Sequence, residues 1–105
     1  MDEDYKLKIT PAAADDLENI YKYVKHTLSA NNAAENMIQK ISSSLKSLKS
    51  FPYMHELSRD KILKERGYRK LVIKKYVALY LVDEEKKSVI IARIFYGPMD
   101  YAAHI

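Results

Sequence analysis

The chain has no cysteine among its 105 residues. A disulfide framework, a thiolate metal site and a cysteine nucleophile are therefore all excluded. Tryptophan is also absent, and there are only 2 Gly and 3 Pro, which excludes collagen-like and low-complexity classes. No apolar run approaches the roughly 20 residues that a membrane span requires. The N-terminus reads Met-Asp-Glu-Asp-Tyr-Lys, acidic where a secretory signal is basic and then apolar. No glycine-rich phosphate loop, nucleophile elbow or histidine–carboxylate set with metal-ligand spacing occurs, so neither a metal nor a cofactor is expected. With 48% hydrophobic and 30% charged residues, the composition is that of one globular domain spanning 1–105, small, soluble and cytoplasmic.

Charge is unevenly placed along a chain of net charge +4. Residues 1–58 carry seven Lys and Arg against eight Asp and Glu, whereas 59–105 carry eleven against six. The densest stretch runs from Arg59 to Lys75, where eight cations face only Asp60 and Glu65. Such a block attracts nucleic acid or an acidic protein, and along an edge strand it also blocks edge-to-edge pairing.

Tyr5 to Ile9 alternates apolar and basic residues and reads as a half-buried strand. Thr10-Pro11 then supplies an N-cap and a proline at the first helical position. Leu17, Ile20, Tyr21, Val24 and Leu28 form one apolar stripe, which predicts a helix over 11–28. Ser29 to Asn32 supplies turn and cap residues. A second helix follows, with Ala34, Met37, Ile38, Ile41, Leu45 and Leu48 on one face, stopped by Phe51-Pro52. Residues 53–67 show no clean period. Three strand-like runs come next, 68–73, 76–82 and 88–96, with hairpin-length connections at Lys74-Lys75 and Asp83 to Lys87. The expected fold is α+β in the order β-α-α-β-β-β, a helical hairpin packed on a curved antiparallel sheet.

A sheet covered on one face and solvated on the other alternates apolar with polar residues. The last two strands do not. Strict alternation places Ile90, Ala92 and Ile94 on one face and Val89, Ile91, Arg93 and Phe95 on the other. One helical hairpin covers one face, so the second face is expected to carry an apolar strip beside the basic block, where a partner docks. The alternative is that the tail, the 53–67 segment or sheet curl covers it from within.

These residues together resemble the RelE/ParE superfamily of toxins of type II toxin–antitoxin systems, of the plasmid-stabilisation type. The resemblance runs through Tyr5 to Ala13, Asp16-Leu17, Ile20 to Val24, Ala33-Ala34, Leu48 and Phe51-Pro52. It continues through Tyr68 to Ile73, Tyr76 to Val82, Val89 to Tyr96, Gly97 and Asp100-Tyr101. It implies a growth-inhibiting toxin held inactive by a cognate antitoxin that wraps a C-terminal segment around it. Arg66, Arg69, Lys70, Val89, Ile91, Arg93 and Phe95 are the expected surface for antitoxin or target.

The superfamily divides by target. RelE-like members cleave mRNA on the ribosome without a metal, using basic residues with a C-terminal Tyr or His; ParE-like members inhibit DNA gyrase. The mRNA-cleaving members carry an arginine after the tyrosine that opens the middle strand, which here is Val77. They carry another after the last strand, where this chain has Pro98 and Met99. The resemblance thus implies a ParE-like toxin acting on gyrase. A ribosome-dependent endoribonuclease using Arg69, Arg93, Tyr96 and Tyr101 is the alternative, and a relative that only binds its antitoxin is a third. Of the histidines, His26 is expected on an exposed helix face and His55 in a loop. His104 stands next to the last residue.

Overall fold

The structure, a computed structural model, describes residues 4–28 and 31–97. Its elements are β1 (Lys6–Ile9), α1 (Pro11–Leu28), α2 (Asn31–Ser47), α3 (Lys61–Glu65), β2 (Arg69–Ile73), β3 (Tyr76–Asp83) and β4 (Ser88–Tyr96). The strands form one sheet in the order β1-β4-β3-β2. β2, β3 and β4 make the expected antiparallel meander, while β1 joins β4 in parallel, so the sheet is mixed.

Local chemistry accounts for the boundaries. The Thr10 hydroxyl accepts from the Ala13 N–H at 3.1 Å, capping α1 just before Pro11. The same hydroxyl donates to the Ala92 carbonyl at 2.9 Å, tying the helix start to β4. Helix α3 lies within the segment whose sequence shows no period. Five residues are too few for a periodic stripe, and the helix is specified by its ends instead. The Asp60 carboxylate accepts from the Leu63 N–H at 3.0 Å, and Gly67 closes the other end at φ 85°. Gly67 N–H donates to Lys64 and Tyr68 N–H to Leu63, satisfying carbonyls of the last turn.

Helices α1 and α2 pack on one face of the sheet. Ile20 and Val24 of α1 and Ile41 and Leu45 of α2 meet Tyr80 and Ile91 in the main core. A smaller cluster on the opposite face joins Leu63 of α3 to Val77, Leu79 and Phe95, with Tyr68 against it. Among the described residues, no buried polar side-chain atom lacks a hydrogen-bond partner.

Two expectations about the faces are corrected. Leu79 pairs with Arg93 but Tyr80 pairs with Ile91, so Ala92 is an extra residue in β4. This bulge resets the alternation. Val89 and Ile91, assigned by strict alternation to the side of Arg93 and Phe95, instead lie fully buried in the main core under the helices. Ile90 turns the other way, opposite Leu81. The second correction concerns the strip itself. Val77, Leu79 and Phe95 are buried, because Leu63 of the short helix sits on them.

Candidate functional site

The helix side carries the larger opening. There the C-terminal half of α1 and the start of α2 diverge from the ends of β3 and β4, leaving a groove of about 1010 Å³. Its floor is apolar: Ile20 and Val24 from α1, Tyr76 from β3 and Ile94 from β4 are all buried. Ala33 and Met37 of α2 form one wall, and Lys74 and Lys75 of the β2–β3 turn stand at the rim. Tyr23 and Tyr96 flank the opening, 64% and 44% exposed. Tyr96 meets Tyr76 edge-on with ring centroids 5.8 Å apart, which fixes its ring over the groove. Burial pushes the Tyr76 hydroxyl pKa above its ordinary value, so this floor residue stays neutral.

Arg93 lies at one end of the groove and is held tightly. Its Nε donates to Asp16 Oδ2 at 2.8 Å and its Nη2 to Oδ1 at 3.0 Å, a bidentate pair across to α1. Asp16 Oδ2 also accepts from the Ile94 backbone N–H at 2.9 Å. Strand β1 ends at Ile9, so among the described residues the outer edge of β4 beyond Ile91 has no strand partner. Thr10 and Asp16 of the α1 region supply those missing partners from side chains. The Arg93 guanidinium also lies over the Phe95 ring, 4.8 Å from its centroid.

Arg69 is placed elsewhere. It opens β2, stacks on Tyr53 at 4.8 Å and donates to the His55 carbonyl at 2.8 Å. Its side chain shares the helix face with Tyr80, its partner in β3, whereas Arg93 springs from the opposite face of β4. The structure thus does not bring Arg69, Arg93 and Tyr96 together around one point. Lys70 lies on the far face of β2, and Arg66 is exposed at the end of α3. Tyr101, His104, Pro98 and Met99 lie outside the described residues. His26 is exposed and His55 half-buried in its loop. Among the described residues, no cluster of His, Asp and Glu could hold a metal ion.

A second polar cluster was not anticipated, because its members are 79 and 31 residues apart. Tyr5 and Tyr53 both donate their hydroxyls to Glu84 Oε2 at 2.5 Å, and Lys87 donates to Oε1 at 2.6 Å. The Lys87 bond, then the two tyrosines, hold the Glu84 carboxyl down at about 2. Desolvation first and the Glu84 bond second push the Tyr53 phenol up to about 12. This node clamps the 51–58 segment to the β3–β4 turn, aided by the buried Tyr80 hydroxyl donating to the Pro52 carbonyl.

Residues 7–101 match the family described as "ParE toxin of type II toxin-antitoxin system, parDE". No curated protein matches the chain significantly. Among solved structures, a chain of the chromosomal ParDE system from P. aeruginosa is 25% identical with a TM-score of 0.72, covering 88% of this chain and 95% of its own. A chain of the toxin–antitoxin complex RelBE2 from Mycobacterium tuberculosis is 18% identical with a TM-score of 0.62, covering 89% of this chain and 98% of its own; that likeness is one of fold. No described helix is long and apolar enough to cross a membrane. With the family match covering almost the entire chain and the fold shared with both relatives, the protein belongs to the ParE toxin family of type II toxin–antitoxin systems.

Proposed function

We propose that the protein is a cytoplasmic growth inhibitor that binds DNA gyrase and is neutralised by a cognate antitoxin. The observation that carries the target assignment is the state of Val77. At this position the mRNA-cleaving relatives carry an arginine, and here it is a buried apolar contact under Leu63. A side chain packed in that cluster holds no phosphate. Arg93 is engaged by Asp16, and Arg69 by Tyr53 and His55, so neither is poised with Tyr96 for acid–base cleavage of RNA. The antitoxin reading is supported by the groove beneath Tyr23 and Tyr96. An amphipathic segment laying its apolar side on Tyr23, Met37 and Tyr96 buries surface that the described residues leave open, with acidic groups toward Lys74 and Lys75.

The test is a supercoiling assay with purified gyrase, run beside primer extension on ribosome-bound mRNA. The expected result is inhibited supercoiling, relieved by adding the antitoxin, with intact mRNA. Cleaved mRNA with normal supercoiling assigns the chain to the endoribonuclease branch instead.

A further inference from the structure

The face of the sheet opposite α1 and α2 carries charge that the groove does not use. Lys8 pairs with Ile90 and Ile90 with Leu81, while Lys6 pairs with Ser88. Their neighbours Leu7, Val89 and Ile91 are committed to the main core, so Lys6, Lys8, Ile90 and Leu81 all point to the other face. Helix α3 lies on that face through Leu63, and its C-terminal end comes down beside Leu81. A Cβ on Gly67 would stand 3.9 Å from Leu81 Cδ2. The result is a trough. Half-buried Ile90 and Leu81 form its floor, exposed Lys6 and Lys8 of β1 stand on one side, and exposed Lys64 and Arg66 at the end of α3 stand on the other. β1 and β3 are separated only by β4, which puts the two sides about 10 Å apart at two strand spacings.

We propose that this trough binds the sugar–phosphate backbone of duplex DNA, with one strand of the duplex lying between the two rows of cations. The choice of DNA over duplex RNA rests on the gyrase reading, since an inhibitor of gyrase meets its target on DNA.

Charge and shape select this ligand. Among the described residues, none of the four cations forms an ion pair. Asp83, across Ser88 from Lys6, bounds the trough at one end, and its carboxylate accepts from the Lys86 N–H at 3.1 Å. Glu65 comes two residues after the inward-facing Leu63, which on a helix turns it away from the sheet. Phosphates on a regular backbone answer two facing rows of cations without needing any base contact. Single-stranded nucleic acid is held instead by bases stacked on exposed rings, and the rings of this face, Phe95 and Tyr68, pack against Leu63. A protein partner brings an apolar centre to an interface, whereas Ile90 and Leu81 are half-buried and flanked by charge.

The experiment titrates a short fluorescent DNA duplex with the full chain, without gyrase, and follows anisotropy at several salt concentrations. The expected result is saturable binding whose log affinity falls with log salt at a slope of about −3 to −4, as four phosphate contacts require. Lys8→Gln and Arg66→Gln should each weaken binding about fivefold or more and lower the slope by about 1. Lys40→Gln, the same charge change on the exposed side of α2, should leave both values unmoved. Amide shifts of the isotope-labelled wild-type chain at Lys8, Gly67, Leu81 and Ile90 locate the contact without any variant. Four outcomes overturn the proposal: no binding at low salt, equal weakening by Lys40→Gln, equal or tighter binding of duplex RNA, or a polyglutamate peptide that shifts the same amides as strongly. Inhibited supercoiling without DNA binding also overturns it and leaves the gyrase reading standing. DNA bound in the trough with normal supercoiling supports it and overturns the gyrase reading.

Discussion

Replacing Asp16 by alanine tests whether this one carboxylate holds α1 to the sheet. The Asp16 and Arg93 side chains are 12% and 25% exposed, so the pair lies between two regimes. Exposed ion pairs contribute about 0–1 kcal/mol, whereas removing one partner of a buried pair costs about 3–5 kcal/mol. Asp16→Ala also leaves the Ile94 N–H without its acceptor on a residue only 2% exposed, a loss of about 1–3 kcal/mol. Discounting the ion pair for its partial exposure, we expect a total destabilisation of about 2–4 kcal/mol. At roughly 4–8 °C per kcal/mol for a domain near this size, Tm should fall by about 8–32 °C. Urea denaturation followed by circular dichroism measures it directly. Arg93→Met, which leaves the Asp16–Ile94 bond in place, should cost about half as much. Lys22→Ala, which breaks the exposed pair with Glu18, should cost under about 0.5 kcal/mol. The reasoning fails if Asp16→Ala is as mild as Lys22→Ala.

Other expectations follow from the same coordinates. Leu63→Ala should cost about 2–5 kcal/mol by chemical denaturation and induce hydrophobic-dye binding, because it uncovers Val77, Leu79 and Phe95. Glu84 has its folded pKa lowered to about 2 from 4.5, so its contribution is complete above about 4.5 and lost as pH falls toward 2. Glu84→Gln should flatten that acid limb of the stability profile, and an unchanged slope would contradict the node. Lys74 adopts a left-handed backbone at φ 55°, so Lys74→Gly should raise stability by up to about 1 kcal/mol, read from the urea midpoint.

The order of elements was legible because it rests on local chemistry. Thr10-Pro11 marks a helix start whatever lies nearby, the stripes of α1 and α2 report a 3.6-residue period, and the Lys74-Lys75 turn separates two runs rich in β-branched and aromatic residues. The basic block from Arg59 to Lys75 and the family pattern were equally readable, since both are properties of residue identity and order. Which residues face where was not. A single extra residue at Ala92 reverses the outlook of Val89 and Ile91, and a bulge shows itself only through its partner strand. Helix α3 is too short to announce itself by period, yet Leu63 closes the face that alternation left open. Arg93 read as a contact for antitoxin or target, although its partner Asp16 lies 77 residues away in the chain. Period and composition act between neighbours in sequence, whereas register, coverage and charge pairing depend on residues that meet only when the chain has folded.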